Sequence, residues 1–108
     1  MKRYRCDASV ARLMDWVKVW PEEVAYARRY REWGEDLRIK QERYERIVAE
    51  LEKLPYWEKR VVREHYISGR TLVSIAVQIG KSEAWCRERR NSAFQTLKIL
   101  LCDMLEEA

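Results

Sequence analysis

Glycine and proline are scarce, at three and two among 108 residues. An all-β fold spends both on its tight turns, so that class is excluded. Histidine occurs once, as His65, inside an apolar helical run. A packed or surface-tipped imidazole fits that position better than a general base. The three cysteines, Cys6, Cys86 and Cys102, stand far apart. With no Cys-x-x-Cys pair, neither a zinc site nor a disulfide framework is expected, and the thiols read as reduced small hydrophobes. No uncharged stretch approaches the length of a membrane span, and the basic start "MKRYR" has no apolar run behind it. Neither a membrane partner nor a signal peptide is therefore expected. Internal repeats, low-complexity tracts and glycine-rich phosphate loops are missing too. Carboxylates are plentiful but alternate with Lys and Arg along helices, as on a solvated face. The expectation is a protein that is not an enzyme and takes no cofactor or metal.

Apolar and charged residues dominate what remains, at 47% and 37%, which is the mixture of a folded, highly charged soluble protein rather than a disordered chain. The net charge of +4 biases the chain mildly toward anionic partners. Its placement says more. Lys59, Arg60, Arg63, Arg70, Lys81, Arg87, Arg89 and Arg90 fall in one window against Glu64, Glu83 and Glu88.

The expected fold is all-α: an N-terminal helical segment over 1–54, coiled-coil-like, followed by a second unit over 55–108. Asp7 or Ser9 is placed to cap a helix carrying Val10, Leu13, Met14, Val17 and Trp20, with Pro21 as its stop. A long helix over 21–54 then carries Tyr26, Tyr30, Trp33, Leu37, Tyr44, Ile47, Leu51 and Leu54 at near-heptad spacing, interrupted once at Lys40 or Gln41. Gly34 weakens it and suggests a kink. Such a seam needs the first helix, a second copy of the chain, or both; intramolecular packing and a homo-oligomer through 21–54 stay open. Pro55 restarts the chain in a helix with Trp57, Val61, Val62, His65 and Tyr66 inward, ended by Gly69 in a left-handed cap. Thr71 caps a short helix ended by Gly80. Ser82 caps the last helix, running from Glu83 to about Leu105.

The stretch "SIAVQIGKSEAWCRERR", Ser74 to Arg90, has the three parts of a helix-turn-helix: a short helix, a glycine turn, and a second helix with a free polar face. Ile75, Ala76 and Ile79 form the buried side of the first. Cys86, Ala93, Leu97, Leu100 and Met104 form the inward stripe of the second, leaving Ala84, Glu88, Asn91 and Gln95 opposite, with Arg87 and Trp85 on the flanks. In a DNA-binding reading, Ala84, Arg87, Glu88 and Asn91 face bases: Arg87 can donate twice to guanine, Glu88 can accept from cytosine, Asn91 can pair with adenine or hold a phosphate. Arg70, Thr71, Lys81, Ser82, Arg89 and Arg90 are placed for phosphates. The competing reading is an ordinary solvated face, and the carboxylates of Glu83 and Glu88 count in its favour.

On the residues "LP" at 54–55, "HYISG" at 65–69, "SIAVQIGKS" at 74–82, and Cys86, Arg89, Ala93 and Leu97, the chain resembles region 4 of the sigma-70 family, which binds the promoter −35 element. The resemblance covers residues 54–101. Nothing in the first half resembles sigma region 2, so a complete sigma factor is not expected. The size and the charged N-terminal helix are similar to small phage transcription regulators of the RinA/ArpU type. The resemblance implies a sequence-specific double-stranded DNA-binding transcription regulator, phage or prophage encoded, with RNA polymerase as a further partner. Two alternatives stand beside it: an RNA polymerase-binding or split-sigma interaction module, and a small terminase-like DNA-packaging subunit. Trp85 and Glu88 depart from the residue types common in the family, so base preference does not carry over.

Overall fold

The computed structural model describes residues 2–30 and 34–107, with side chains over 9–30 and 34–105. Six helices follow in order: α1 (Lys2–Tyr30), α2 (Glu35–Leu51), α3 (Tyr56–Val62), α4 (Leu72–Ile79), α5 (Glu83–Leu100) and α6 (Cys102–Glu107). No strand occurs among the described residues, so the chain is all-α. None of their helices is long and apolar enough to cross a membrane.

The N-terminal half is partitioned differently from the sequence expectation. α1 is already helical at Lys2, upstream of both expected caps, and passes through Pro21 to Tyr30. A proline inside a helix removes one backbone hydrogen bond and costs about 3 kcal/mol. Burial outweighs it: Val10, Met14, Val17 and Trp20 before the proline and Ala27 after it are all in the core, at unbroken helical spacing. The long helix over 21–54 does not exist as one piece. Gly34, in extended conformation at φ −138° and ψ −172°, stands at the N-terminus of a new helix, α2. The expected seam is split accordingly: Ile47, Leu51 and Leu54 are buried, whereas Tyr26 and Tyr30 point to solvent. Trp33 lies outside the described residues. The polar interruption has a structural reason, because Gln41 Oε1 accepts a 2.7 Å hydrogen bond from the indole nitrogen of Trp20.

α3 continues without a break into one π-helical turn, Arg63–Ile67, that widens the helix before Gly69 turns it at φ 76°. The amide of Ser68 reaches back to the Arg63 carbonyl at 3.0 Å, and that of Arg70 to Glu64 at 2.9 Å. The last helix also divides: Leu101, at φ −114° and ψ 19°, separates α5 from α6. Arg46 of α2 holds the start of α6 through Asp103, with Nη2 donating to Oδ1 at 2.7 Å.

Among the described residues, most buried apolar side chains fall into two clusters. Val61, Leu72, Ile75, Ala76 and Cys86 knit α3, α4 and the start of α5 together. Burial pushes the Cys86 thiol above its ordinary value, aided by the nearby carboxylates of Glu64 and Glu83, so it stays protonated and packs as a small hydrophobe. The larger cluster joins Val10, Met14 and Val17 of α1 and Ile47 and Leu51 of α2 to Phe94, Leu97, Leu101 and Met104. Residues on both sides of Pro55 thus share one core, and it grips α5 by its C-terminal half. In the N-terminal half of α5 only Cys86 turns inward, and the face carrying Ala84, Arg87, Glu88 and Asn91 is left at the surface.

Candidate nucleic-acid interface

Gly80 sits in the left-handed region, at φ 72° and ψ 32°. That conformation lets the Lys81 amide return to the Ala76 carbonyl at 3.0 Å, so the chain reverses within a few residues. Ser82 Oγ then accepts from the Trp85 amide at 3.0 Å and starts α5. Thr71 Oγ1 does the same for Ser74 at 3.1 Å and starts α4. Each capping hydroxyl spends a lone pair and keeps its proton for another acceptor.

On α5 the inward stripe is as expected: Cys86, Ala93 and Leu97 are buried, with Phe94 beside them. Ala84, Arg87, Glu88 and Asn91 are exposed together on the opposite side. Arg87 is paired along the helix with Glu83, Nη2 to Oε2 at 3.2 Å. Arg90 donates to Asn91 Oδ1 at 3.3 Å through Nη2 and lies 5.9 Å from the Phe94 ring. Burial raises the Tyr66 hydroxyl above its ordinary value, while the charge of Arg90 and a hydrogen bond from it oppose the shift.

Trp85, read from the sequence as a flank residue, organises two of the expected phosphate contacts. Lys81 Nζ lies 5.3 Å from its ring centre and the Arg89 guanidinium 5.6 Å. The indole stands edge-on to Trp57 at 5.7 Å. Trp57 in turn carries Arg60 at 5.8 Å and meets Tyr56 at 4.9 Å. Trp57 is therefore not a core residue but a surface one, 39% exposed. This ladder of aromatics and cations was legible only as spacing: Trp57 and Arg60 are three apart, Trp85 and Arg89 four apart, each on one helix face.

No family model matches the chain, and neither a curated protein nor a solved structure matches it.

The residues themselves therefore define the surface, and one of those expected on it is engaged elsewhere. The Arg70 guanidinium donates to Glu64 at 2.6 Å, to Ser74 Oγ at 2.8 Å and to Gln78 Oε1. It fastens the end of α3 to α4. Glu64 also accepts from Arg60 Nε at 2.8 Å. His65, the sole histidine, donates from Nδ1 to the Arg70 carbonyl at 2.7 Å and closes the same turn. Between α3 and α5, Glu58 is buried and accepts from Ser92 Oγ at 3.0 Å. No group of three or more metal-ligating side chains occurs among the described residues.

Proposed function

We propose that the chain is a sequence-specific double-stranded DNA-binding transcription regulator that lays the first turns of α5 in the major groove. One observation carries the reading: Ala84, Arg87, Glu88 and Asn91 stand exposed on one side of the helix whose other side is anchored by Cys86, Ala93 and Leu97. A recognition helix needs that division, with one face of its first turns free and the other held against the domain. Lys81 and Arg89, steadied on Trp85, flank the helix where phosphate strands would pass. Ser82 and Thr71 add hydroxyl donors at the two helix starts. Arg70, tied to Glu64, acts in this reading by orienting α4 rather than by touching DNA.

The resemblance to sigma region 4 supports the same reading, and with it a phage or prophage source, a cytoplasmic setting and a promoter as the target. A second reading, an RNA polymerase-binding or split-sigma module, is favoured by α4, where Val73 and Val77 are exposed one turn apart and Val77 reaches 78%. Selection of bound duplexes from a random pool, followed by titration against salt, separates the two. A DNA reader enriches a defined site and loses affinity steeply as salt rises, the slope counting its phosphate contacts. A chain that enriches nothing and binds duplexes weakly and uniformly is not this regulator.

A further inference from the structure

We infer that the C-terminal half of α1 is a two-fold docking surface for a second copy of this chain. Of the 21–54 seam, which the sequence left open to a second copy, Ile47, Leu51 and Leu54 are buried within one chain, and Tyr26 and Tyr30 are the members left exposed. What remains unpartnered lies on the opposite face of α1. Val19 is 46% exposed, Tyr26 58% and Tyr30 55%, and their spacing of seven and four places them on a single stripe. The rings of Tyr26 and Tyr30 lie 4.6 Å apart, tilted by 43°, and continue the stripe over one turn. Beside it an open recess of about 340 Å³ is lined by Glu22, Glu23, Tyr26, Ala27 and Leu37. Ala27, 3% exposed, lies at its floor.

The charges name the occupant. Glu22 and Arg29 are seven residues apart, on the same edge of the stripe. Arg29 already leans across the stripe, its guanidinium 5.8 Å from the Tyr30 ring. When two such helices cross antiparallel about a two-fold axis, like edges meet. Glu22 of one copy then faces Arg29 of the other, and the pair occurs twice. The same crossing brings Tyr26 of each copy over the other's recess. A surface that is its own electrostatic complement at both ends of an apolar centre fits a copy of itself better than an unrelated partner. Because α5 packs against α1 through the shared core, pairing at α1 sets a fixed separation between two copies of α5.

Sedimentation of the full chain over a concentration series, without DNA, tests this independently of any DNA site. A monomer–dimer equilibrium is expected. Glu22→Arg or Arg29→Glu alone turns two attractions into two repulsions and should raise the dimer dissociation constant about ten- to thirtyfold. The double variant E22R/R29E should restore it. Tyr26→Lys, which puts a cation at the centre of both stripes, should weaken the dimer without changing helix content by circular dichroism. A chain that is monomeric at every concentration, an oligomer larger than a dimer, or a dimer indifferent to the charge swaps overturns the inference.

Discussion

Arg70 donates to the carboxylate of Glu64 across the turn at Gly69, over 2.6 Å, and to Ser74 on the helix that follows. A guanidinium committed to that many internal acceptors is a fastener. Both side chains are more than half buried, so the bond is charge-assisted and partly shielded from water. Arg70→Ala should cost about 1–3 kcal/mol of stability, since it also leaves Glu64 with one cation in place of two. For a chain of this size that is a fall in Tm of about 4–8 °C per kcal/mol. Thermal unfolding measures it. If Arg70 instead held a phosphate, Tm would be unchanged and the salt slope of DNA binding would drop by about one.

Glu83 and Arg87 form an exposed ion pair at the start of α5. In the proposed groove-bound state that pair opens, and Glu83 is brought near phosphates. Arg87→Ala should therefore cost about 1–3 kcal/mol at the preferred site and relax base choice there. Glu83→Gln should act oppositely and tighten binding to all duplexes several-fold, about 1 kcal/mol, by freeing the guanidinium and removing a repulsion. Titrations of both variants on preferred and scrambled duplexes check the pair. Equal losses on both duplexes for Arg87→Ala would remove it from the base-reading set.

Two glycines call for opposite outcomes. At Gly80 an added Cβ meets nothing within 4 Å, so only the backbone at φ +72° resists substitution. Gly80→Ala should destabilise by about 1–2 kcal/mol, the cost of an L-residue in the left-handed region. At Gly34 the space is equally open, but the backbone is extended and α2 has no side-chain cap. Gly34→Ser should stabilise by about 0.5–1 kcal/mol, through a new cap and a less flexible unfolded chain. Denaturant titration of the two variants decides both signs.

How much of this was legible in the sequence follows from which interactions are local. Caps and turns are: Thr71, Gly80 and Ser82 act within a few residues of themselves, and each stands where the sequence placed it. The inward stripe of α5 was readable for the same reason. The N-terminal partition was not, because a long-range term decides it. Pro21 is a stop signal by local chemistry, yet Trp20 and Ala27 on either side of it are both buried, and the helix holds through the proline. Near-heptad spacing at Tyr26 and Tyr30 implied burial, but spacing does not reveal that the chain turns near Gly34 and leaves them outside. At the candidate interface, the exposure of Arg87 and Asn91 followed from helical angle. The capture of Arg70 by Glu64 did not, since it spans the π-helical turn and the reversal at Gly69, whose geometry has no signature in the residue types.

The link between Arg46 and Asp103 carries a pH signature. Two hydrogen bonds from Arg46, reinforced by its charge, hold the Asp103 carboxyl below its ordinary value of 3.8. The guanidinium is raised in return, chiefly by the same hydrogen bonds. A carboxyl whose folded value is depressed stabilises the fold fully while it is ionised in both states, above pH 3.8. As pH falls further, the unfolded chain takes up its proton first, and the stabilisation is lost through the lower, folded value. Asp103→Asn removes the charge at every pH. Its Tm should therefore lie below that of the parent at pH 7, and the gap should narrow as pH falls below 3.8. Added salt should narrow it as well, because both side chains are open to solvent. Scans of the two proteins across that range test the link between α2 and α6, and a gap constant in pH would mean that the carboxylate does not sense Arg46.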